Sequence, residues 1–165
     1  VTGGAGIHRQ PGDGWLECTC GTRHWGLHGA AGLLLTRTVR TGDTDDEPEV
    51  VLQHRAEWSD HGGTWGIPGG ALAPGESAVD GALREAAEEA GIDPEALEVR
   101  STHVLDHGPW SYTTVVAHAT GPQHPRPTDP ESLEIAWVAA SRVPGLPLLP
   151  AFAAAWPTLR ARLPG

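Results

Sequence analysis

The chain contains no long apolar run. Nowhere in its 165 residues does a segment approach the roughly eighteen consecutive apolar residues of a membrane-spanning helix. The glycine-rich start lacks the basic-then-apolar pattern of a secretory signal. Lysine and methionine are missing altogether, so all eleven basic residues are arginine. Against 21 acidic residues this leaves a net charge of −10, which argues against the basic stripe that a polymeric nucleic acid requires. An anionic small substrate must then be met by local cations, a bound metal among them. There are only two cysteines, Cys18 and Cys20, and one residue between them makes them poor disulfide partners. The expectation is a reduced, cytoplasmic protein with no membrane partner. At this length the chain reads as one domain able to bury a core without staples.

The most informative stretch runs from Gly70 to Ile92, GALAPGESAVDGALREAAEEAGI. The alanine-rich run from Ser77 to Ala90 has no proline and predicts a helix. Ser77 followed by Asp80 resembles a capping box, and Gly91 stands where a helix stops. On that helix Glu85, Glu88 and Glu89 are three and four residues apart, so their carboxylates share a face. Like charges at this spacing destabilise an isolated helix by about 0.2–0.5 kcal/mol per pair. A hard divalent cation with oxygen ligands, Mg2+ above all, compensates for such crowding. The bland alternative is a solvated acidic face.

The fixed letters decide between the two. Gly70, Glu76, Arg84, Glu85, Glu88, Glu89 and Gly91 fit G-x5-E-x7-R-E-U-x-E-E-x-G-U, with Ala86 and Ile92 at the apolar positions. The segment resembles the box of the Nudix hydrolases, which act on nucleoside diphosphates linked to another moiety. That resemblance implies an α/β/α sandwich with a mixed sheet. It also implies Mg2+, with Mn2+ as the alternative ion, held by Glu85, Glu88, Glu89 and the Gly70 carbonyl. Glu76 and Arg84 correspond to a pair that orients loop and helix in the family. Glu85 or Glu89 is the candidate base, and Glu131, six residues before Trp137, is a further candidate catalytic carboxylate and metal ligand. His107, beside Asp106, is a weaker candidate for base or second ligand.

The rest of the chain reads as strands around this helix. Residues 1–14 carry five glycines and little to bury, and read as flexible. Residues 15–28, WLECTCGTRHWGLH, complete an extension over 1–28 ahead of a catalytic domain over 29–165. Within it Cys18, Cys20, His24 and His28 offer a zinc site, but C-x-C is not the usual ligand spacing and no second pair lies nearby. A knuckle or hairpin with free thiols is the competing reading. Strands are expected over Gly29–Val39, Val50–Arg55, Leu97–Leu105, within 106–119 and over Leu133–Ala140. TGDTDDEP at 41–48 is expected to be a hairpin loop, and 120–132 a proline-rich loop. Pro150 to Leu163 predicts a closing helix that Pro157 bends or restarts. These elements form a mixed α/β domain.

For substrate, Trp58, Trp65, Trp110 and Tyr112 are candidates to stack on a base, with core packing as the competing role, and Arg55 is a candidate anion contact. ADP-ribose members of the family carry a proline about fifteen residues past the box. Here His107 stands there and Pro109 comes two later. The resemblance therefore points to a MutT-like hydrolase of nucleoside triphosphates, oxidised ones included. ADP-ribose, a dinucleotide or another diphosphate are the alternatives, and so is a nucleotide-sensing module without turnover. A homodimer is compatible with these features.

Overall fold

The computed structural model describes residues 11–39 and 46–164. The flexible reading of residues 1–10 and the first part of the expected loop, 41–45, lie outside the described residues. In chain order the first strands are β1 (Trp15–Glu17), β2 (Arg23–Trp25), β3 (Ala30–Val39), β4 (Glu47–Arg55), β5 (Trp65–Gly66) and β6 (Gly69–Ala71). Then come α1 (Ala78–Ala90), β7 (Leu97–Asp106), β8 (Ser111–Ala119), β9 (Ser132–Ala139) and α2 (Pro150–Arg160).

β1 and β2 form a separate antiparallel hairpin, with Trp15 opposite Trp25. The main sheet runs β5-β4-β3-β8-β7, with β6 beside β3 and β9 beside β4. Only the β3–β8 pairing is parallel among the described ladders; the others are antiparallel. This is the expected mixed sheet.

β3 explains why the sheet is covered on both faces. Every residue from Ala30 to Thr36 is buried, and a strand buried on both sides reads as a continuous apolar run. Successive side chains alternate across the sheet. Leu33 and Leu35 pack with Ala82, Ala86 and Ala90 of α1, while Leu34 packs with Phe152, Trp156 and Leu159 of α2. β4 divides likewise, Val51 facing α1, and Val50 and Leu52 facing α2. Burying each such leucine contributes about 1.5–3 kcal/mol relative to exposure. The architecture is an α/β/α sandwich with α1 and α2 on opposite faces.

Two expectations shift. β4 begins at Glu47, not Val50, so the last two residues of the expected loop belong to the strand. Glu47 pairs with Val39 and Pro48 with Thr38, and Pro48 is fully buried. Proline is tolerated in a strand where the ladder does not call on its missing N–H. Glu47 also accepts a hydrogen bond from the Ser141 amide at 2.9 Å. In α2 the helix continues through Pro157 without restarting. Trp156 and Leu159, on either side, are buried among Phe152, Val143 and Leu163, and this packing offsets the lost backbone bond.

Candidate active site

α1 presents its glutamates on a helix secured at both ends. The Ser77 hydroxyl accepts from the Asp80 amide at 3.1 Å, capping the first turn. At the other end Gly91 takes φ 65°, a left-handed conformation that disfavours other residues, and the Ile92 amide returns to the Ala86 carbonyl at 3.3 Å. The alanines at 82, 86 and 90 turn toward the sheet, which leaves Glu85 and Glu89 on the flank beside β6 and Glu88 exposed next to them.

Arg84 binds the preceding loop to this helix. Its Nε and Nη2 donate to the two Glu76 oxygens, both at 2.9 Å, and Nη2 also donates to the Ala71 carbonyl at 3.2 Å. Nη1 donates to Glu85 at 2.8 Å and to Glu88 at 3.4 Å. Glu76 accepts further from the Ala73 amide at 3.0 Å, which closes the turn after β6. A two-pronged guanidinium–carboxylate pair is strong and geometrically specific. The pairing holds the Glu76 carboxyl below the usual carboxylate range, chiefly through Arg84.

Glu85 and Glu89 lie against β6. A side chain on Gly70 would meet the Glu85 carboxylate at 2.8 Å, so only glycine lets the backbone come this close. The Gly69 amide donates to Glu89 at 3.3 Å. Burial pushes the Glu89 carboxyl well above its usual range, the Glu85 charge and a hydrogen bond with Glu85 add to this, and the Gly69 amide opposes it. Glu85 is raised too, by burial first, while its bonds to Glu89 and Arg84 pull the other way. Two neighbouring carboxyls, both driven toward the neutral form by burial, form a donor set that a divalent cation would satisfy in place of protons.

Glu131 belongs to the same electrostatic environment. Burial raises its pKa, Asp129, Glu85 and Asp13 raise it further, and Arg55 opposes them. The expected loop over 120–132 explains how it gets there. The buried Gln123 donates to the carbonyls of Asp93 at 2.7 Å and Ala96 at 3.1 Å, and accepts from the Asp93 amide at 2.9 Å. The Thr128 hydroxyl donates to the Glu88 carbonyl, and its amide to the Glu89 carbonyl at 3.3 Å. These bonds fasten the loop to the C-terminal end of α1, where helix carbonyls need partners. Asp129 then accepts from the Glu131 amide at 2.9 Å, a turn that the Asp129-Pro130 dipeptide makes readable. The sequence reading missed Gln123, Thr128, Asp129 and Asp13. All but Asp129 act across long separations with no local motif.

The expected substrate contacts separate into groups. Trp58 is the most exposed tryptophan of the loop after β4, at 57%. Arg55 donates from Nε to the Asp60 carbonyl at 2.9 Å, and its charge is felt at both Glu131 and Tyr112. Tyr112 sits beside Ala30 on β8, and burial and the Glu89 charge keep its phenol protonated well past the usual range. Trp65 stacks on His54 at 4.5 Å and packs against the α2-side apolar cluster. Trp110 stacks on His24 at 4.0 Å and donates to the Trp25 carbonyl at 3.1 Å. Cys18, Cys20 and His24 converge as a zinc site would require, but the fourth member of the group is His107, not His28. His107 is thereby placed with the hairpin.

The NUDIX domain family model matches residues 29–161. A nucleoside triphosphate pyrophosphatase/Nudix hydrolase fusion protein of Bifidobacterium longum is 54% identical over 157 residues, covering 93% of this chain and 32% of its own length. A putative 8-oxo-dGTP diphosphatase 3 of Mycobacterium tuberculosis is 49% identical, covering 92% of this chain and 70% of its own. The chain thus spans about a third of the first relative and rather more of the second. The crystal structure of RenU, a Nudix hydrolase from M. smegmatis, superposes with a TM-score of 0.82 at 45% identity, over 93% of this chain and 98% of that one. The chain belongs to the Nudix family. It is a hydrolase of the class that acts on phosphoric anhydrides.

Proposed function

We propose that the chain is a Mg2+-dependent pyrophosphohydrolase of nucleoside triphosphates, oxidised purine nucleotides included, releasing the monophosphate and pyrophosphate. The observation that carries this is the pairing of Glu85 with Glu89 against the Gly69–Gly70 backbone, with Glu131 in the same field. Glu85, Glu88, Glu89 and the Gly70 carbonyl would hold Mg2+, or Mn2+ in its place. When bound, the ion lowers the pKa of a water and neutralises charge building on the phosphate oxygens.

The chain's own residues supply the rest. Glu76 and Arg84 hold the loop and helix in register and are positioning residues. Glu131, less acidic than an ordinary carboxylate because of its burial, accepts the proton of the attacking water. That water forms the new P–O bond as the anhydride P–O bond breaks and the pyrophosphate oxygen departs. Arg55 meets a phosphate oxygen and the exposed Trp58 stacks on the base, with Tyr112 in the wall behind them. The nucleotide preference draws support from the mycobacterial relative named as a putative 8-oxo-dGTP diphosphatase, 49% identical to this chain.

A product-resolved hydrolysis screen with Mg2+ tests the reading. It covers canonical and 8-oxo nucleoside triphosphates, ADP-ribose, NADH and dinucleoside polyphosphates, beside Glu89→Gln and Glu131→Gln. Preference for a triphosphate with pyrophosphate as product supports it. A preference for ADP-ribose or a dinucleotide, or orthophosphate as the primary product, rules it out.

A further inference from the structure

We propose that Cys18, Cys20, His24 and His107 bind one structural Zn2+ that ties the β1–β2 hairpin to the β7–β8 turn. Their donor atoms all lie within 4.8 Å of one another. Cys20 Sγ is 3.1 Å from His24 Nε2, His24 Nε2 is 3.1 Å from His107 Nδ1, and His107 Nδ1 is 3.9 Å from Cys18 Sγ. A tetrahedral zinc with two sulfurs and two nitrogens has donor–donor edges of about 3.3–3.8 Å. A contraction of about 1 Å at the widest pair closes such a tetrahedron.

Hydrogen bonding alone does not explain the arrangement. His24 Nε2 has Cys20 Sγ, His107 Nδ1 and the Thr22 hydroxyl, at 3.4 Å, all within reach. One imidazole nitrogen is either a single donor or a single acceptor. A cation at the centre lets both histidines and both thiolates present lone pairs together. The Cys20 amide points at Cys18 Sγ from 3.5 Å, the kind of outer contact that steadies a zinc-bound sulfur. The hairpin turn is closed by Cys18 N–H to Thr22 O and Gly21 N–H to Cys18 O, both at 3.1 Å, so the ligands are preset.

The donor chemistry separates this site from the carboxylates. Thiolate with imidazole selects zinc, and carboxylate with carbonyl selects magnesium. Three ligands precede residue 29, where the family match begins, and the fourth lies inside it. The metal therefore fastens a segment outside the matched span to the catalytic domain. That segment borders the active site: the Gly12 backbone lies against the Leu72 carbonyl, with no room for a side chain between them, and the Asp13 charge reaches Glu131.

The test is metal analysis of protein purified without chelators or metal-affinity resin, together with Co2+ reconstitution of the metal-free chain. About one zinc per chain is expected, and the cobalt form should show the strong visible bands of a tetrahedral thiolate site. Cys20→Ser and His107→Ala should each lose most of the zinc. Glu85→Gln and Glu89→Gln should keep it, which separates this site from the catalytic carboxylates. Removing zinc with a chelator that spares Mg2+ should lower the melting temperature by roughly 5–10 °C. Wild-type protein holding little zinc even after incubation with excess Zn2+ overturns the proposal, as does a weak, octahedral cobalt spectrum.

Discussion

Among the described residues two clusters of ligand-type side chains are assembled in opposite ways. The carboxylates come mostly from one helix, where Glu85, Glu88 and Glu89 share a face because three and four residues make about one turn. The thiol–imidazole group joins Cys18, Cys20 and His24 to His107 across 83 to 89 residues. The first is set by the spacing of residues within a single helix. The second exists only once the hairpin meets the β7–β8 turn. A site written into helical periodicity is legible in a sequence, and one made by tertiary contact is half legible at best.

The largest expected effect is at the carboxylates. Glu89→Gln removes one charge with little change of volume and should lower kcat roughly 10²–10⁴-fold. The variant should melt at the wild-type temperature or above it, because it relieves repulsion with Glu85. Wild-type turnover in steady-state kinetics would mean the ion is held elsewhere.

The same cluster should link stability to pH in a definite direction. Glu85, Glu89 and Glu131 have raised pKa values in the folded chain, so from about pH 4.5 upward the folded state holds protons that the unfolded state has released. Their contribution to stability is therefore full at low pH and is lost as pH rises through the folded values. Mg2+ replaces those protons, so the gain in melting temperature on adding Mg2+ should grow from pH 5 to pH 8. A gain that is flat or shrinks with pH, measured by thermal melting in buffers of equal ionic strength, breaks the link between the ion and these carboxyls. The cysteine–histidine cluster should not respond to Mg2+ at all.

How much was readable follows the same division. The helix, its caps and the Glu76–Arg84 spacing are all local patterns. β3 announced itself through an apolar run that only a doubly covered strand can use. The start of β4 was hidden because Glu47-Pro48 has the composition of a loop, while pairing with Val39 and Thr38 and the burial of Pro48 override local preference. Pro157 likewise signals a break that the packing of Trp156 and Leu159 prevents. Loop 120–132 read as plain proline-rich connection, because nothing local says that Gln123 reaches back thirty residues to Asp93. His107 had no local partner pattern that assigned it to the thiols.

That loop gives a medium-sized test of how the carboxylate site is completed from afar. Gln123→Ala leaves the Asp93 amide and the carbonyls of Asp93 and Ala96 without their buried partner. The expected loss is about 1–3 kcal/mol by denaturant titration. If the loop positions Glu131, kcat should fall while zinc content stays the same. A loss of stability with unchanged kcat would assign Gln123 to the framework only.

Trp110→Ala should give the smallest catalytic effect and the clearest contrast. One face of this ring is covered by His24, and its Nε1 donates to the Trp25 carbonyl. The side chain is thus committed to the hairpin, so KM for the preferred nucleotide should change by no more than about threefold, well short of the 1–3 kcal/mol that a lost base stack costs. The melting temperature should drop, and zinc should leave faster in a chelator competition because His24 loses its stacking partner. A tenfold or larger rise in KM with zinc retention unchanged would transfer Trp110 to the nucleotide pocket. It would also show that the hairpin contributes a wall to catalysis, so that the two clusters serve one site.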